Sequence, residues 1–95
     1  MFKWLNKQGV QSDKGYIVQV TGRFTIEYRE KNKVIEVYVE PGILDNGRFC
    51  TIIEPHAFHK WDDGTPINKD RQMEILKNFT DAMEFQNIGV VVHGE

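Results

Sequence analysis

FCTIIEPHAFHKWDDGTPI, residues 49–67, is where the chain changes texture. Before it, apolar residues alternate with period two, as in strands. After it, they recur every three to four positions, as in a helix. The stretch also holds the only Cys, two of the three His and one of the two Trp. Pro55, Gly64 and Pro66 punctuate it, so it reads as a strand end followed by a structured connection.

Upstream, Tyr16–Val20 reads as a strand with Tyr16, Val18 and Val20 on one face. Thr21-Gly22 is a turn or a bulge. Arg23–Arg29 alternates, with Phe24, Ile26 and Tyr28 on one side and Thr25 and Glu27 on the other. Glu30-Lys31-Asn32-Lys33 is a polar break of hairpin size. In Val34–Glu40, parity sends Ile35, Val37 and Val39 to the core and Glu36, Tyr38 and Glu40 to a wet face. Pro41-Gly42 is expected to stop this strand, and Asp45-Asn46-Gly47 to turn the chain into a strand over Arg48–Ile53.

Downstream, Ile75, Leu76, Phe79, Ala82 and Met83 form one apolar stripe over Lys69–Glu84. Asn68 is a suitable N-cap, and Asp70 favours the first turn through the helix dipole. Asn87 and Gly89 fit a stop, and Ile88–His93 a last short strand. The expected fold is α+β: a single antiparallel sheet of four to five strands with one long amphipathic helix, about residues 68–84, packed on one face.

The 95 residues make a single domain, 1–95. Residues 1–14 are ambiguous. Phe2, Trp4 and Leu5 suit a short strand or a helical turn, and Gln11–Gly15 a loop. The start, MFKWLNKQG, lacks a continuous apolar segment and a small-residue cleavage site, so no signal peptide is expected. No apolar run approaches the ~20 residues of a membrane helix. One Cys allows no internal disulfide, which suits a reducing, cytoplasmic home.

Net charge is −2, unevenly spread. Residues 1–35 carry seven basic and three acidic groups, residues 36–63 two and six, and residues 64–95 three and five. From its midpoint the chain is acidic. That disfavours nucleic acid as a ligand and suits a basic protein partner.

His56 and His59, with Asp62 and Asp63 beyond, invite a metal reading. No further His or Cys pair completes it, so solvated or capping roles are expected, with no metal and no cofactor. Cys50 with a His suggests a nucleophile, but mid-strand it reads as a small buried hydrophobe. No catalytic residue is assigned, and the chain is expected not to be an enzyme. No glycine spacing cradles a phosphate. Trp61 before Asp62-Asp63-Gly64 has two readings: a plug at the core edge, or an aromatic anchor flanked by acids.

Taken in order, these features resemble a bacterial immunity family of polymorphic-toxin and contact-dependent growth inhibition systems, the one numbered seventy-four. The resemblance covers about Gly15 to the C-terminus and leaves residues 1–14 outside. It lies in the strand order, the segment Ala57-Phe58-His59-Lys60-Trp61 with acids and Pro66-Ile67 after it, then the helix and a final strand. It implies a cytoplasmic protein that binds and neutralises a cognate toxin C-terminal domain, often a basic nuclease. The expected contacts are Glu36, Tyr38, Glu40, Asp45, Glu54, Trp61, Asp62 and Asp63, with no nucleic acid and no membrane. The alternative is a regulatory or subunit module that binds a cellular protein.

Overall fold

The computed structural model describes residues 1–94. Chain order gives β1 (Phe2–Asn6), β2 (Gly9–Ser12), β3 (Tyr16–Gly22), β4 (Thr25–Glu30), β5 (Lys33–Ile43), β6 (Phe49–Ile53), α1 (Lys69–Phe85) and β7 (Gly89–Val92). The seven strands lie side by side in sequence order. Every neighbouring pair is antiparallel except β6 and β7, which run parallel. A parallel pair needs a crossover, and α1 provides it.

This corrects the expected sheet and helix. The sheet has seven strands rather than four or five, and is mixed rather than antiparallel. The helix is a single short one of 17 residues. Two of the added strands come from residues 1–14: β1 takes the strand of the two readings open at Phe2–Leu5, and β2 pairs with it and runs into the expected Gln11–Gly15 loop. β1 has little of the alternation that marks a strand. Four of its five residues are exposed, and a register shift follows Trp4.

β5 also departs from expectation. It passes through Pro41 and ends at Ile43, with Pro41 opposite Thr51 of β6. The backbone explains why this proline is tolerated. The Val39 N–H donates towards β4, to the Phe24 carbonyl, and residue 41 faces the same way. β4 pairs with β5 only as far as Tyr38, so the missing N–H of Pro41 costs no ladder bond. Thr21-Gly22 takes the bulge of its two readings, with a register shift between Val20 and Gly22, and the hairpin turns at Arg23-Phe24, which leaves Phe24 half exposed instead of in the core.

One sheet face is covered. Val10, Val18, Ile26, Tyr28, Ile35 and Val37 pack there against Ile75, Phe79, Ala82 and Met83 of α1. Phe58, Trp61 and Ile67 of the β6–α1 connection complete this core. Asn68 caps the helix by accepting the Arg71 N–H at 2.9 Å. Arg71 then pairs with Glu30, and Asn78 donates to the Tyr28 hydroxyl at 3.1 Å. These two contacts fix the helix against β4 with polar as well as apolar groups. Among the described residues, no helix is long and apolar enough to cross a membrane.

Candidate functional site

The open face becomes distinctive where the sheet divides. β5 pairs with β4 from Lys33 to Tyr38, then with β6 from Val39 to Ile43. One long strand thus belongs to two ladders, with the change falling between Tyr38 and Val39. Glu36, Tyr38 and Glu40 project from the open face across this change. Tyr38 is 70% exposed. The carboxylate of Glu36 beside it holds the Tyr38 phenol above its ordinary value.

Two hollows flank the division. One, of about 320 Å³, has Ile35, Val37 and Trp61 in its lining and Glu36, Glu54 and Asp62 among its polar groups. The other, of about 610 Å³, is bounded by Phe24, Glu40, Pro41 and Ile52. Tyr38 and Glu54 line both. His56, His59 and Lys60 stand at the first hollow and His93 at the second, so the acids are not alone there.

Asp62 is positioned by the strand edge. Its N–H donates to the Val34 carbonyl at 2.9 Å, and both its carboxylate oxygens lie 3.2 Å from the Glu36 N–H. The connection thereby pairs with the part of β5 that β6 does not reach. Asp63 turns elsewhere. It accepts from Lys33 at 2.7 Å and from the Thr65 N–H at 2.9 Å, and the Lys33 bond leads in holding its carboxyl well below the usual range.

Of the eight residues named from sequence, the fold brings together Glu36, Tyr38, Glu40, Glu54 and Asp62. Asp45 sits in the turn after β5 and lines neither hollow. Trp61 is only 7% exposed, and its ring lies near-parallel to that of Tyr28 at 6.4 Å. It is core, and its indole supports the first hollow from beneath.

Sequence reading missed Glu27, which stands opposite Glu36 in the β4–β5 register. Like charges directly opposite destabilise a sheet. Arg29 relieves Glu27 with a contact at 3.1 Å, whereas Glu36 has no cation partner among the described residues. Parity already placed Glu27 and Glu36 on open faces of adjacent strands. Only the hairpin register was needed to set them opposite.

The other chemistry resolves simply. The His56 and His59 rings meet edge to face at 5.8 Å, and His59 Nδ1 lies 2.6 Å from the His56 carbonyl oxygen. Among the described residues, no group of three or more His, Cys, Asp or Glu is placed to hold a metal ion. Cys50 is buried opposite Gly42, where a Cβ on the glycine would come within 3.1 Å of its Sγ. No protein-family model, curated protein or solved structure matches the chain.

Proposed function

We propose that this chain is an immunity protein that binds and neutralises a cognate toxin domain, a basic nuclease, in the cytosol of the producing cell. The observation that carries the reading is the gathering of Glu36, Glu40, Glu54 and Asp62 around exposed Tyr38 at the division of the sheet. Acids around an exposed aromatic suit a basic protein surface. The acids speed encounter and set specificity, and the aromatic provides burial. A nuclease is basic where it holds phosphate, so an acidic face can occupy that region or block the approach to it. The resemblance carried by Ala57–Trp61 and Pro66-Ile67 directs the choice towards a toxin.

Trp61, Asp45 and Asp63 drop out of the contact set in this reading, and Glu27 enters at its edge. The test is a titration of E36K, E40K and E54K variants against the C-terminal domain of the toxin encoded by the adjacent reading frame. Each reversal should weaken binding about tenfold or more and flatten its salt dependence. Unchanged affinity and salt dependence in all three would sink the acidic-face model.

A further inference from the structure

The two ends of the sheet are finished differently. β1 carries Lys3, is followed by Lys7, and has a register shift between Trp4 and Asn6, all devices that discourage edge pairing. β7 has none of them. Gly89-Val90-Val91-Val92 contains no charge, no proline and no bulge, and no strand lies beyond it among the described residues.

The parallel ladder shows which groups that edge presents. The His93 N–H donates to the Ile53 carbonyl at 2.7 Å, so residues 89, 91 and 93 turn their backbone groups towards β6. Val90 and Val92 therefore point theirs outward. The side chains alternate the other way. Val91 shares the open face with Ile52 and is 37% exposed, while Val90 and Val92 face the helix side. Beside Val92, Met73 of α1 is 70% exposed, and both line one shallow hollow.

We propose that this edge pairs with the β7 edge of a second copy of the chain, antiparallel about a twofold axis through Val91. In that register Val90 faces Val92 of the other copy, and each such pair exchanges two backbone hydrogen bonds. Val91 meets its own counterpart at the close, non-hydrogen-bonded position. The strand is uncharged, so the pairing sets no like charges opposite each other. Met73 extends the apolar contact on the helix side. The contact is isologous, so it closes at two copies.

A four-residue edge is only about 13 Å long, too short to bury by itself the ~800 Å² per partner of a standard interface. The dimer is accordingly weak. The inference rests on different observations from the acidic face, although His93, just past β7, stands at the larger hollow of that face.

The experiment is sedimentation velocity from about ten micromolar to one millimolar, with amide exchange measured at both ends of that range. The expected result is a monomer–dimer equilibrium in which the Val90 and Val92 amides gain protection at high concentration. V91K, which sets two ammonium groups opposite each other, should weaken the dimer at least tenfold, while V91T retains it. Urea unfolding of V91K confirms that the monomer is intact. A strict monomer at one millimolar, or a dimer indifferent to V91K with unchanged Val90 and Val92 exchange, overturns the proposal. So does protection at those amides only when another protein is added.

Discussion

Asp62 and Glu36 meet through the backbone: both oxygens of the Asp62 carboxylate lie 3.2 Å from the Glu36 N–H. With its own N–H on the Val34 carbonyl, Asp62 acts as a one-residue strand on the open part of β5. Replacing it by Ala leaves the Glu36 N–H without this partner. The expected loss is about 1–2 kcal/mol in urea unfolding. A change below about 0.3 kcal/mol would show that water replaces the carboxylate without cost. Binding data on Asp62 variants need this correction, which is why Glu36, Glu40 and Glu54 are the cleaner probes of the acidic face.

Phe79 tests the packing of α1. It is fully buried, and its ring lies 5.4 Å from that of Phe58 in the β6–α1 connection. Truncation to Ala removes contacts to the helix, the sheet and the connection together. It should cost about 3–5 kcal/mol. A loss under about 1 kcal/mol would contradict the central position of this ring.

Tyr28 sets the alkaline limit of stability. Burial first, then its bond to Glu30, pushes the phenol far above its ordinary value of 10.0, and burial also raises that of Tyr16. In the unfolded chain both phenols ionise near pH 10, while folding holds their protons to higher pH, Tyr28 most strongly. The stabilisation is therefore complete below pH 10 and falls as pH rises beyond it. Each group contributes a slope of up to about 1.4 kcal/mol per pH unit. Stability measured from pH 8 to 11 should show this decline. Y28F should start lower, through loss of its bonds with Glu30 and Asn78, and decline less steeply. An identical slope in Y28F would count against the buried phenol as its source.

The legible parts of this chain are those where side-chain burial and backbone order coincide. Ile26 with Tyr28, Ile35 with Val37, and Ile75 with Phe79 and Met83 follow their periods and are buried. β1 stays ambiguous between strand and helical turn because its short, exposed run carries little alternation, and its pairing with β2 is settled by hairpin geometry. The direction of β7 is a matter of topology. A strand, a helix and a strand in succession form a crossover, from which a parallel pair could have been read. At the acidic face, parity separated Glu36, Tyr38 and Glu40 from the core. The meeting of β4, β6 and the Asp62 connection around them depends on how far β5 runs past Pro41, which no local pattern reveals.

Trp61 and Tyr38 offer the sharpest contrast, because the same aromatic-among-acids pattern surrounds both in the sequence. The structure buries Trp61 against Tyr28 and leaves Tyr38 largely in solvent. Their truncations should therefore separate folding from binding. W61A removes a core ring and the floor of the smaller hollow, and should cost about 3–5 kcal/mol of stability. Y38A should leave the urea midpoint nearly unchanged, since the side chain makes little contact within the chain. Against the toxin domain, Y38A should bind roughly thirtyfold or more weakly, as expected when a central anchor is cut back. W61A, assayed where it remains folded, should lose less. If Y38A binds as tightly as the parent chain, the partner does not sit at the division of the sheet.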